Sequence, residues 1–422
     1  MEDSAAPSPG LTRNLSLDVA SAVGIGIGVA MVGALLPTIA RRAGLDALGL
    51  AVLAATPFVA NLLGVFAGWF GPRTSRQVGR IRAAGLISLL GLVLVPHPLM
   101  MIAVALSFWL SVSFTVPFQM RLQGTIYPRS TWGRYIGAVG MARAAAVGLS
   151  ALLGGALADR MGGPQAIALG ALIGAGAAVA ASRIRAPELA TTPAYSVAGS
   201  LRALTSRPAL RRVALAQGFW GGGLIAAMPL YAFVQVDRLH LSLGEVGLIG
   251  ALGGVATTTS YMAWGALSDR RGAHLPLRLG GLLGVVSLIA YALAPAASVL
   301  WLAAILGGLA NAAVDIGIQR SIRDHTTLEA RAPAMAGWNA VTGLRGMAAP
   351  LVAGTLLGSG LVDAAGGLLL CALVSAAGAV LYFRLPAGQP DRVAAEGRPG
   401  PVSLPEPAQG ITRGTAIGSV PS

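Results

Sequence analysis

Apolar residues in this chain come as long, nearly unbroken stretches, separated by short polar connections that hold most of the arginines. Twelve stretches can be drawn, at approximately 15–40, 47–70, 80–96, 99–126, 135–157, 164–184, 209–235, 244–267, 275–295, 298–320, 333–357 and 363–384. About 20 apolar residues cross roughly 30 Å of hydrocarbon, so each stretch is predicted to be a membrane-spanning helix. The third is the shortest and stops at Pro96-His97-Pro98. Removing it would scramble the charge alternation described next, so twelve are kept.

The connections after the even-numbered stretches are rich in arginine: Arg73, Arg76, Arg80 and Arg82; Arg121, Arg129 and Arg134; Arg183 through Arg212; Arg270, Arg271 and Arg278; and Arg320, Arg323 and Arg331. The odd-numbered connections hold only Arg41, Arg42, Arg160 and Arg238. Positive charge marks the cytoplasmic side, so both termini are predicted to be cytoplasmic, in a multi-pass protein of the cell (inner) membrane.

Composition agrees. At 55% hydrophobic and 11% charged, the chain of 422 residues has too little polar surface to coat a soluble globule. A pI near 11.3 would suggest nucleic-acid binding in a soluble protein. Here the charge is spread over short loops beside anionic lipid, and no nucleic-acid partner is expected. The first 14 residues are polar and include Glu2 and Asp3, so the first span is expected to remain uncleaved. Cys371 is the single cysteine, which excludes an internal disulfide, and no cofactor or metal is expected.

The basic connection 185–208, with Pro187, Pro193 and Pro208, divides an amino-terminal six-helix bundle (1–184) from a carboxy-terminal one (209–386). Within it, Ser196 to Arg207 is predicted to form a short amphipathic helix on the membrane surface. Residues 387–422 read as a disordered cytoplasmic tail. The halves match at an offset near 197 residues: Gln119, Gln123, Thr125 and Ile126 lie against Asp315, Gln319, Ser321 and Ile322, and Arg134 and Gly140 against Arg331 and Gly337. Two six-span repeats are a transporter architecture.

Gly265-Ala-Leu-Ser-Asp269-Arg270-Arg-Gly272 follows the eighth stretch, and Gly155-Ala-Leu-Ala-Asp159-Arg160-Met-Gly162, a looser echo, follows the fifth. Together with the twelve spans, the first of these resembles the loop signature of the major facilitator superfamily, a similarity covering about residues 14–385. The resemblance implies two pseudo-symmetric six-helix bundles, with Asp269 pairing with basic groups to hold the halves together on the cytoplasmic side. The first-half copy of the loop places Pro72 at the Asp position, so that half must be latched differently. The drug-exporter arginine of the fourth span is replaced by Phe108-Trp109-Leu110-Ser111, and the fifth-span antiporter glycines are incomplete. Ala349-Pro350 with Ala353-Gly354 keeps more of that shape.

Two arginines fall inside spans. Arg143 lies nine residues past Arg134 and Arg345 twelve past Pro333, depths of roughly 13 and 18 Å at about 1.5 Å per residue. A charge at mid-membrane costs roughly 2.5–3.5 kcal/mol, so each should face the interior, water or an anion. The two readings are an anionic substrate or counter-ion site and a structural bond to a carboxylate or helix end. Asp315, in the tenth span, is a candidate for proton coupling or substrate contact, or for a fixed ion pair. Asp18, one turn inside the first span, reads as an interfacial or helix-start charge.

Gln119, Asn311, Trp109, Trp338 and Asn339 complete the candidate substrate set, and Gly265, Asp269, Arg270 and Gly272 the cytoplasmic gate. The chain has no lysine and so no Walker-type nucleotide loop. None of the four histidines lies inside a span, which argues against a membrane enzyme. The sequence therefore predicts a monomeric secondary transporter for a small organic molecule, working by alternating access among membrane lipids. Proton-coupled efflux is the leading reading. Uptake of a sugar or organic acid, and a non-transporting membrane binding protein, are the rivals.

Overall fold

The computed structural model describes residues 9–67, 71–95, 97–128, 131–185 and 197–385. The expected tail, 387–422, and much of the linker lie outside the described residues. Every long apolar stretch is helical: α1 (Gly10–Arg42), α2 (Ala47–Leu63), α3 (Ser75–Leu94), α4 (Pro98–Ile126), α5 (Trp132–Met161) and α6 (Gly163–Arg183) in the first half. The second half has α7 (Pro208–Arg238), α8 (Leu243–Arg271), α9 (His274–Leu293), α10 (Ala297–Asp324), α11 (Leu328–Gly358) and α12 (Ala364–Phe383). Eleven are long and apolar enough to cross a membrane, and α2, at 17 residues, is the shorter twelfth. In hydrocarbon every backbone group must be satisfied within its own segment, so these stretches have no alternative to the helix.

Helix ends follow local chemistry. Thr74 with Gln77, and Ser242 with Glu245, form capping boxes at the starts of α3 and α8, while Asp46 and Asp363 cap α2 and α12. Two glycines in the left-handed region, Gly162 (φ 98°) and Gly272 (φ 76°), end α5 and α8 where a side chain would be strained.

Helices α1–α6 pack among themselves, as do α7–α12, and the halves meet mainly through α5 against α8 and α2 against α11. Asn14 donates to the Arg185 carbonyl (3.2 Å), which ties the start of α1 to the end of α6 and marks the linker face of the molecule. The linker helix, Val197–Thr205, forms where an amphipathic segment was expected. It packs on α11, with Ser200 and Leu204 buried, so protein holds it in place.

Candidate functional site

A central cavity of about 390 Å³ lies between the halves, lined by residues of α1, α2, α4, α7, α8, α9 and α10. Trp109, Tyr231 and Tyr291 supply aromatic wall, Gln235 and Asn311 amides, and Thr257 a hydroxyl. None of its lining residues is charged. Two wide π turns border it, Met31–Leu35 in α1 and Val234–Arg238 in α7. Such turns release backbone from the regular ladder and are common at functional positions.

On the face opposite the linker the halves are shut. Thr38 Oγ1 donates to Gln235 Oε1 (2.7 Å), and Gln235 Nε2 donates to the Tyr291 hydroxyl (2.6 Å). Arg41 pairs with Asp237 at 2.8 Å and lies 4.2 Å over the Phe233 ring, while Arg42 donates to the Leu241 carbonyl. The Asp159 carboxylate accepts from the backbone nitrogens of Leu243 (2.8 Å) and Gly244 (2.7 Å), a helix start that belongs to the other half. Carboxylates at helix N-termini contribute about 0.3–1 kcal/mol, and up to ~2 where partly buried. The exposed Arg41–Asp237 pair contributes at most about 1 kcal/mol. Asp159→Ala is therefore expected to open this face more than Arg41→Ala. The measure is alkylation of a cysteine placed at Ala304, in a Cys371→Ser background, by a membrane-impermeant maleimide.

On the linker face the signature residue Asp269 bonds Arg320 (3.0 Å), which also holds Asp324 (2.6 Å). All three belong to the second half. The expectation that Asp269 clasps the two halves does not describe this state: the residue fastens α8 to α10, and its side chain is 74% exposed. The inter-half clasp is made instead by the looser copy, at Asp159. Gly265 lies within α8, Arg270 is exposed and Gly272 ends the helix. The side-chain bonds between the halves gather on the face opposite the linker, while Asp269, Arg320 and Asp324 on the linker face bond within one half, which is the arrangement of a cleft facing the linker.

Arg143 lies in that cleft. It is exposed, has no hydrogen-bond partner among the described residues, and acts electrostatically on both Arg82 of its own half and Tyr261 of the other. Tyr261 donates to Asp315 Oδ2 (2.9 Å), and Gln319 Nε2 donates to the same oxygen (3.0 Å). Asp315 thus has a hydroxyl and an amide as partners in place of the fixed ion pair that the sequence left open. Asn311 and Trp109 line the central cavity, with Trp109 edge-on to Phe108 (5.1 Å). Trp338 packs on the core of the second half, and Asn339 is exposed beside it. Arg345 lies away from the central cavity: its guanidinium donates to the Gln217 carbonyl and rests in the notch left by Gly221.

Gln119 leads to a cluster that sequence reasoning missed. Asp18, read as an interfacial charge, is only 1% exposed. It accepts from Gln119 Nε2 (2.5 Å), Gln123 Nε2 (2.9 Å) and the Tyr127 hydroxyl (2.9 Å). Arg82, grouped above with the loop arginines, is also buried and donates to Thr115 Oγ1 and Ser21 Oγ (3.0 Å each), with Asp18 within electrostatic reach. Charge buried inside a bundle must be paired or hydrogen-bonded, and these partners meet that need. Each half therefore places a carboxylate on amide and hydroxyl donors.

No curated protein matches the chain. Among solved structures, the nucleoside transporter NupG superposes with TM-score 0.70 at 13% identity, covering 88% of this chain and 98% of that one. An inward-facing bacterial homologue of the human lysosomal transporter Spinster gives 0.68 at 13%, covering 90% and 98%. The POT family transporter PepTSo gives 0.71 at 10%, also covering 90% and 98%. These likenesses are of fold. The family model of the Major Facilitator Superfamily matches residues 19–301 and 213–418, and with two six-helix halves around a central cleft the chain belongs to that superfamily of membrane transporters.

Proposed function

We propose that this protein is a monomeric secondary transporter that exports a small organic molecule across the cytoplasmic membrane in exchange for protons, by alternating access. The observation that carries the reading is what faces the cleft from each half: Arg143, without a hydrogen-bond partner among the described residues, on one wall, and Asp315, held by Tyr261 and Gln319, on the other. A carboxylate held only by neutral donors can take up a proton without first breaking an ion pair. An arginine facing it can take the proton's place as the walls approach. The largely apolar cavity, with three aromatic rings on its wall, suits an amphipathic solute.

The amides of Gln235 and Asn311 favour a second reading, uptake of a polar solute such as a sugar or organic acid. Proteoliposomes loaded with candidate solutes under an imposed pH gradient separate the two. Proton-driven extrusion supports the first, proton-driven accumulation the second, and flux indifferent to the gradient removes Asp315 from its role. Trp109→Ala is expected to weaken solute binding about tenfold, since a lost aromatic wall costs on the order of 1–2 kcal/mol. Isothermal titration of the purified chain checks this once a solute is found.

A further inference from the structure

A second cavity, about 340 Å³, opens between α7, α11 and α12. Gly343, Gly346 and Gly354 turn one face of α11 onto α2. Arg345, Ala349, Val352 and Leu356 lie on the other face, where the second cavity is. Val352, Leu370 and Val374 are among its exposed apolar wall residues, so the groove opens laterally, where lipid would lie. Apart from Arg345 and Cys371, every lining residue is aliphatic or glycine.

Arg345 stands at one end of this groove, at the middle of a 31-residue helix. Its stem runs past Gly222, and its one hydrogen bond among the described residues goes to the Gln217 carbonyl. Its Nε is buried without a partner, and no described carboxylate bonds it. A guanidinium this deep calls for a counter-anion. The groove beside it calls for hydrocarbon.

We propose that this crevice binds a single-chain amphiphilic carboxylate, with its head on the Arg345 guanidinium and its tail running along α11 towards Leu356 and Val362. The tail would follow eleven residues of helix, about 16 Å at the usual rise. Carboxylate suits the planar guanidinium, which can hold it with two parallel bonds. A phospholipid is the poorer occupant, because its phosphate would have to leave the interface for mid-membrane. The site is separate from the central cavity, so the proposal does not depend on the transport reading.

The test is equilibrium binding of radiolabelled dodecanoate to the full chain, delipidated in an uncharged maltoside detergent. Saturable binding near one per chain is expected, and dodecanol should not compete. Arg345→Gln, and Ala349→Leu, which fills the groove while leaving the guanidinium, should each weaken binding by about tenfold or more. In the unaltered protein, dodecanoate should also slow alkylation of Cys371 by N-ethylmaleimide, a readout that needs no substitution. Equal competition by dodecanol, or undiminished binding by Arg345→Gln, would show a groove indifferent to charge and overturn the proposal. Displacement by phosphatidylglycerol at equal concentration would make the occupant bilayer lipid, and overturn it too. The proton-flux assay above stands or falls independently.

Discussion

Asp315→Asn is expected to reduce proton-driven flux about a hundredfold while leaving solute exchange at equal pH nearly intact. Asparagine keeps the shape and one acceptor oxygen for the Tyr261 hydroxyl (2.9 Å) and the Gln319 amide (3.0 Å), so the fold around α10 should persist. What it loses is the proton. A hundredfold loss corresponds to about 2.7 kcal/mol of coupling, within reach of one partly buried carboxylate facing an arginine. The measurement is initial flux in proteoliposomes with and without a pH gradient, set against counterflow at equal pH. Gradient-driven flux that survives the substitution would move the coupling role to Asp18. Asp18→Asn should behave differently, because Asp18 answers three donors and is 1% exposed. An amide there would turn a donor towards other donors at a cost of about 1–3 kcal/mol, so lowered stability should accompany any loss of coupling.

The contrast between these carboxylates shows what the sequence could and could not reveal. Asp315 stood out because a carboxylate deep in an apolar stretch is costly wherever it points. Asp18 did not, because a charge one turn into a helix has a ready explanation in the helix start. Its partners lie more than a hundred residues away, on α4 and at the residue that caps its end. One signal was there: Gln119, Gln123 and Tyr127 fall at i, i+4 and i+8, a polar stripe down one face of an apolar helix. Arg82 was misread for a related reason. Its place near the start of α3 resembles a loop, and only packing against α1 and α4 shows that it points inward.

Arg345 illustrates another limit. Helical rise gave its depth, but depth alone does not choose between the central cleft and a lateral groove. The glycines at 343, 346 and 354, which seat α11 on α2, are what turn the arginine the other way. The odd-numbered connections were legible only as exceptions to a charge rule. Arg41, Arg42 and Arg238 each have a specific partner on the closed face: Asp237, the Leu241 carbonyl, and the last carbonyls of α9. Arg41 and Arg42 thus bond across to the other half, while Arg238 fastens α7 to α9 within its own.

Gly247→Val is expected to hold the protein away from the conformation described above, with a loss of transport as large as that of Asp315→Asn but of different origin. On the closed face α5 and α8 approach backbone to backbone. A Cβ at Gly247 would collide with the Ala151 carbonyl, and one at Gly155 with the Leu243 carbonyl, neither of which is a flexible side-chain end that could swing aside. The branched side chain must therefore push the helices apart along the seam that Asp159 caps from the other half. Overpacking at a tight contact costs about 1–3 kcal/mol. Because the strain falls only on the state in which these faces touch, it acts as a population shift of roughly 5- to 150-fold towards the alternative. The folded protein should survive, since the contact lies between the halves and leaves the core of each intact. A cysteine at Ala304, in a Cys371→Ser background, should then react faster with a membrane-impermeant maleimide from the face opposite the linker. Unchanged labelling with lost flux would mean that the substitution damages α8 itself, and the clasp would not be the element that sets the balance between the two states.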